Sequence, residues 1–312
     1  MIQPPAILLI GAPGSGKTDV TATYTEAGLE VFVLITEPGG VESLIDGHSR
    51  RRLSLDKVHW QTITPAAAGW DAMEQMVQTI GSQSFEGIQS LKSGVGKDKT
   101  RVPAMNFLKA LKDFKCERTG QTYGDSATWD HSRALVVDSL SGLSLMAMAL
   151  TIGYKPAAHQ GEWGVAMNFL EQILLKLTSD RRCFFSLTAH IERETDDISG
   201  ATRTMASTLG RKLAPKIPRF FSEVVLAKRT LDKGNAKFTW STADSQADLK
   251  NRALPVSAEL TPSYAPIVRA FRERLKLSSG APPSAPEARP VPSATPKVVV
   301  PNAPLTPTKA TA

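Results

Sequence analysis

Eight consecutive residues constrain this chain more than any other feature: Gly11-Ala12-Pro13-Gly14-Ser15-Gly16-Lys17-Thr18. They satisfy the pattern G-x-x-x-x-G-K-[ST] at every fixed position. An apolar run from Ala6 to Ile10 precedes them and reads as a buried strand. The stretch from Asp19 to Ala27 follows without Gly or Pro and reads as a helix ending at Gly28. Strand, glycine loop and helix N-terminus form the context in which such a loop cradles phosphate. Glycines let backbone N–H groups close around phosphate oxygens, and a helix dipole adds positive potential. The expected ligands are ATP and Mg²⁺. Gly11 through Thr18 would enclose the phosphates, Lys17 would reach the β- and γ-phosphates, and Thr18 would ligate the metal.

Glu30 to Thr36 is apolar on both faces, as in a central parallel strand, and Glu37-Pro38-Gly39-Gly40 ends it abruptly. Glu37 is then either a catalytic base beside the loop or a solvated turn residue. Val58 to Ile63 reads as another strand. Trp70, Met73, Val77 and Ile80 share one helical face. From Gly81 to Arg133 the pattern weakens and the segment reads as an insertion, with a flexible basic loop at 93–100 and a short helix from Phe107 to Phe114. Ala134 to Val137 followed by Asp138 describes a buried strand ending in a carboxylate that would hold Mg²⁺ through water. Ser139, not Glu, comes next, so a water-activating base must come from elsewhere, which points to Glu37. Residues 163–177 carry a helical stripe that would face the core and includes Trp163. Cys183 to Ala189 reads as a buried strand with His190 at its C-terminal end. Open α/β sheets bind ligands outside the carboxyl ends of their strands, where Glu37, Asp138, His190 and the glycine loop would all fall.

Arg193 to Arg211 is polar and long for a connection. Basic residues then thicken: Arg203, Arg211, Lys212, Lys216 and Arg219. Two further strands, 223–228 and 237–241, are joined by a turn at Lys233-Gly234-Asn235, and 266–277 reads as a terminal helix. Nine prolines fall in the last 35 residues, so 278–312 is expected to be a disordered tail behind a core of 1–277. Across 312 residues, 41% are hydrophobic and 21% charged, an ordinary globular balance. A net charge of +7 is compatible with a polyanionic partner. Two cysteines make no disulfide framework. No apolar run reaches the roughly 20 residues of a membrane helix, and the N-terminus lacks signal-peptide character. A soluble cytoplasmic protein with no membrane partner is expected.

The glycine loop, Glu37 ending the second strand, Val136-Val137-Asp138-Ser139 and a polar residue ending the next strand follow the order of the RecA-type recombinase core. Gly161 to Met167, running into a long helix, resembles the helix before that core's sensor strand. Over residues 6–275 the chain resembles phage RecA-core ATPases of the P-loop NTPase class, some of which act in single-strand annealing or recombination. The resemblance implies a doubly wound, mainly parallel α/β sheet. It implies that Glu37 activates the attacking water, and that His190 senses the γ-phosphate and relays to DNA loops at about 153–162 and 193–211. A histidine there, where Gln or Asn is usual, adds pH sensitivity in principle. With ten residues ahead of the loop, the N-terminal segment that docks RecA-type subunits together is not expected. The implied activity is Mg-ATP hydrolysis coupled to single-stranded DNA in phage recombination, annealing or replication, in the host cytoplasm. Arg203, Arg211 and Lys212 would contribute to DNA binding. A motor or loader for DNA packaging or replication, and a nucleotide-gated adaptor with little hydrolysis, are the alternatives. The tail would dock a single-strand-binding or replication partner, and a second copy of the chain is a further expected partner.

Overall fold

A computed structural model describes residues 2–91, 97–195 and 200–278; for Lys97 and Arg211 it describes the backbone alone. The strands are Ala6–Gly11 (β1), Glu30–Ile35 (β2), Val58–Thr62 (β3), Arg133–Asp138 (β4), Phe184–Ala189 (β5), Ile191–Thr195 (β6), Thr202–Ala206 (β7), Glu223–Asp232 (β8) and Asn235–Ser241 (β9). The α-helices among the described residues are Ala22–Glu26 (α1), Gly40–Arg50 (α2), Trp70–Ser82 (α3), Phe85–Ser90 (α4), Lys97–Lys112 (α5), Leu140–Ile152 (α6), Gln160–Ser179 (α7), Gly210–Leu213 (α8) and Ala265–Ser278 (α9).

Seven strands form one sheet in the order β3-β2-β4-β5-β1-β8-β9. All neighbours run parallel except β8 and β9, which form an antiparallel hairpin. Strands buried on both faces need apolar residues at odd and even positions alike. β1 and β2 supply them, and successive residues feed opposite layers. Leu8, Ile10, Phe32 and Leu34 enter a core with α5, α6 and α7, while Ile7, Leu9, Val31 and Val33 enter a second core with α1, α2 and α9. The chain is therefore an α/β protein whose mostly parallel sheet is covered by helices on both faces, as in a doubly wound fold. Among the described residues no helix is long and apolar enough to cross a membrane.

Several expectations need correction. The helix expected over 19–27 is a 3₁₀ turn, Asp19–Thr21, followed by the five-residue α1. Val20, Thr21, Thr23 and Thr25 are β-branched and weaken a regular helix, so little dipole accumulates behind the loop. α3 forms where the spacing places it, yet none of its residues is buried, and Trp70 is 85% exposed. Trp163 is also partly exposed rather than core, beside Gly210. Within the segment read as an insertion, Phe107, Ala110, Phe114, Cys116 and Trp129 pack into the same core as Phe32 and Leu135. The expected polar connection after His190 is a hairpin, β6 with β7, registered from Ile191↔Ala206 to Thr195↔Thr202. Glu192, Arg193 and Glu194 are consecutive charges in β6, and Arg203 is the one charge in β7, so no period-two alternation marks this hairpin in the sequence. The basic loop at 93–100 lies partly outside the described residues, with 97–100 opening α5. The tail beyond Ser278 lies outside them entirely.

Candidate functional site

Parallel strands place their C-terminal ends on one edge of the sheet. β1 delivers the glycine loop there, β2 delivers Glu37, β4 delivers Asp138 and Ser139, and β5 delivers His190. Gly14 and Gly16 both have positive φ, 70° and 82°, which the tight loop requires and L side chains resist. Lys17 is buried, and its Nζ donates to the carbonyls of Gly11 at 2.9 Å and Ala12 at 3.0 Å. Burial pushes the pKa of this ammonium down, while the charges of Asp138 and Glu37 pull it back up. Ser15 is buried too, and among the described residues its Oγ has no hydrogen-bond partner.

Thr18 Oγ1 donates to Asp138 Oδ2 at 2.6 Å, joining the loop to β4 across 120 residues of sequence. β5 lies between β1 and β4, and its Thr188 donates to the other oxygen, Asp138 Oδ1. The Asp138 carboxylate is thus buried and held by two hydroxyls. Hydroxyl and carboxylate oxygens are the donor set a hard cation such as Mg²⁺ prefers. Thr18 and Asp138 are thus residues whose donor atoms could hold such an ion.

Glu37 is fixed by a second network. Ser139 Oγ donates to Glu37 Oε1, and His190 Nε2 lies 3.1 Å from Glu37 Oε2. Ser139 is itself clamped by Thr36, whose Oγ1 accepts from Ser139 N at 2.8 Å and donates to Ser139 O at 2.8 Å. Burial raises the Glu37 pKa, but hydrogen bonds from Ser139, His190 and Ser141 outweigh it and hold the carboxyl below its ordinary value. Glu37 is therefore an ionised, oriented carboxylate at neutral pH. A carboxylate has about four lone-pair directions, so three contacts still leave it able to accept from one water.

Of the residues singled out from sequence, Gly11 through Thr18, Glu37, Asp138 and His190 come together. Glu37 stands in this network rather than in a free turn. The three basic residues do not join them. Arg203 sits on β7 and pairs with Asp248, its Nε 3.1 Å from Oδ2. Lys212 is exposed on α8, and Arg211 contributes its backbone there. Lys216 and Arg219 lie 3.4 and 3.5 Å from Glu171 of α7. Acidic partners far away in sequence thus offset much of the basic surface.

Four contributors are not evident from the sequence. Ser139 matters for the hydroxyl it offers Glu37, not only for the glutamate it displaces. Thr188 orients Asp138. Arg229 and Phe238, directly opposite each other on β8 and β9, lean over the loop. A Cβ on Gly14 would lie 3.3 Å from Arg229 Nη1, and one on Gly16 would lie 3.3 Å from the Phe238 ring. The turn at Lys233 and Gly234, both at positive φ, fixes this pairing and could have been counted back from. Which face meets the loop is set by the pairing of Gly11 with Ala227, which no local pattern reveals.

The fold and site define an α/β protein with a glycine loop, a buried lysine and an oriented carboxylate pair at the C-terminal edge of a mostly parallel sheet. Compared with known proteins, the chain matches no protein-family model and no curated sequence.

Proposed function

We propose that this protein is a P-loop NTPase with a RecA-like core, which binds Mg-ATP, hydrolyses it and acts on single-stranded DNA in recombination, annealing or replication. The observation that carries the reading is the contact of Thr18 with Asp138 at 2.6 Å, with ionised Glu37 on the same sheet edge. Backbone N–H groups of the glycine loop cradle the phosphates, and Lys17 turns from loop carbonyls to phosphate oxygens. Thr18 and Asp138 would hold Mg²⁺, which would supply neutralisation of phosphate charge when bound. Glu37 accepts the proton of the attacking water as general base. Ser139 and His190 keep its carboxylate ionised and aimed. Arg229 adds a positive charge beside the loop.

Coupling to DNA rests on His190. Only this residue separates β5 from β6, and its carbonyl accepts from Ser207 N at 2.7 Å where the β6–β7 hairpin returns. A change at Glu37 on loss of the γ-phosphate would reach the hairpin through His190. This supports the hairpin as the element that meets DNA, with Lys212 as its exposed neighbouring cation.

ATP turnover measured with and without single-stranded DNA tests both halves. Lys17→Ala should abolish nucleotide binding. Glu37→Gln should keep binding and lose roughly 10²–10⁴-fold in turnover, the usual contribution of a general base. Wild-type ATP affinity in the lysine variant would remove the nucleotide reading. Turnover indifferent to DNA would remove the coupling.

A further inference from the structure

At the opposite edge of the sheet, where β1 and β8 begin, lies an open cavity of about 460 Å³. This is within the size range of small-ligand sites. Three arginines line it: Arg181 from the turn before β5, Arg252, and Arg274 from α9. Their partners are unusual. Arg181 is only 7% exposed; its Nη1 donates to the Cys183 carbonyl at 2.7 Å, and its Nε is buried without a partner among the described residues. Arg274 Nη2 donates to the Arg252 carbonyl at 2.6 Å. Among the described residues none of the three guanidinium groups pairs with a carboxylate. The one acidic residue in the lining, Glu223, is wholly buried and accepts from the backbone N–H groups of Arg252 and Ala253 at 3.0–3.1 Å.

A buried cation costs free energy unless an anion or several hydrogen bonds compensate it. Burial pushes the Arg181 guanidinium down to about 10, so it still carries its charge at neutral pH. Among the described residues the lining thus sets three guanidinium groups against one carboxylate, Glu223, whose charge is offset in part by Arg274. Guanidinium groups present planar forks of donors that match phosphoryl oxygens.

We propose that this cavity is a second anion site, distinct from the glycine loop, which takes a phosphoryl group through Arg181, Arg252 and Arg274. The group would come from a small phosphomonoester or from the backbone of a nucleic acid. This inference does not depend on the nucleotide reading of the glycine loop.

The test uses the full chain carrying Lys17→Ala, which removes the phosphate-binding lysine of the loop. Inorganic phosphate is titrated by calorimetry. Binding is expected to persist in this background and to weaken at least ten-fold in Arg252→Glu/Arg274→Glu, a change at exposed positions that the fold tolerates. Arg181→Met should weaken it as well, with circular dichroism reporting whether that variant folds. Competition identifies the source: displacement by a nucleoside monophosphate points to a phosphomonoester, and displacement by an oligonucleotide with hydroxyl ends points to phosphodiesters. No phosphate binding in the Lys17→Ala chain, or binding unchanged by the double charge reversal, overturns the proposal.

Discussion

Replacing Gly142 by alanine sets two effects of opposite sign against each other. Gly142 lies in the first turn of α6, and in a helix interior Gly→Ala ordinarily stabilises by about 0.8–1.0 kcal/mol. Here the new Cβ would stand 2.2 Å from Thr36 Oγ1 and 2.5 Å from both Thr36 Cβ and the Thr36 carbonyl oxygen. Carbon atoms rest at about 3.5–4.0 Å, so Thr36 would have to retreat by roughly 1 Å or more. The obstacle is backbone and a β-branched side chain at the end of β2, not the tip of a flexible one. Overpacking of this kind costs about 1–3 kcal/mol. Displacing Thr36 also breaks its two buried bonds to Ser139, and each unsatisfied group costs about 1–3 kcal/mol. Sterics should win, giving a net loss of about 2 kcal/mol or more. For a core of this size that is a fall in Tm of about 4–8 °C. Gly164→Ala in α7 is the control, because nothing lies within 4 Å of its added Cβ; it should raise Tm by about 2–4 °C. Thermal unfolding of both variants decides the matter. A Gly142→Ala chain as stable as wild type, or more stable, would refute the close approach of α6 to Thr36 and with it the clamp that positions Ser139.

Ser139→Ala removes one of the hydrogen bonds holding the Glu37 pKa down. The acid limb of the turnover-versus-pH profile should therefore move to higher pH, with folding checked by circular dichroism; an unmoved limb would separate Ser139 from the base. Arg229→Ala should weaken ATP binding more than AMP binding, as its guanidinium faces the loop beside Gly14, and equal losses for both would place it away from the terminal phosphates. His48 and His59 are buried, and burial pushes both imidazoles below their ordinary value, against the opposing pull of the Leu44 carbonyl and of Glu30 respectively. The unfolded chain then binds more protons below about pH 6.5, so stability should fall as pH drops through that value. The limiting slope is about 1.4 kcal/mol per pH unit for each histidine, and urea unfolding at pH 7.5 and 5.5 with equal midpoints would contradict it.

The apolar runs at β1, β2, β4 and β5 were legible because a strand buried on both faces leaves no polar gaps. Each run ends in a polar residue at the same edge, so the positions of Lys17, Glu37, Asp138 and His190 followed from the strands. Periodicity shows which residues share a face but not what covers that face. Hence the spacing at Trp70, Met73, Val77 and Ile80 gave a correct helix and no hint that it stands uncovered. Charge is still less local. Arg203 reads as a free cation until Asp248 is brought to it across 45 residues, and the same separation links Lys216 to Glu171. The roles of the Ser139 and Thr188 hydroxyls were not legible because a hydroxyl has no sequence signature; its role lies in what it reaches.

Strand order turns these separate ends into one site. Neighbouring strands lie about 4.8 Å apart, and parallel pairing aligns Ile35 with Asp138, Val137 with Leu187 and Leu9 with Thr188. Asp138 and Thr188 therefore stand side by side, and the hydroxyl of the intervening strand meets the carboxylate it orients. Two residues further along, Glu37 from β2 and His190 from β5 flank β4 on either side. Because neither is adjacent to the other's strand, their 3.1 Å contact crosses above the Ser139 backbone, where Ser139 Oγ supplies the second bond to the same carboxylate. A slip of one residue between β4 and β5 would turn Thr188 to the opposite layer from Asp138. The two buried cores, with Leu135 and Val137 in one and Ala134 and Val136 in the other, resist that slip. The register that orients the site is thus enforced by apolar burial on both faces of β4.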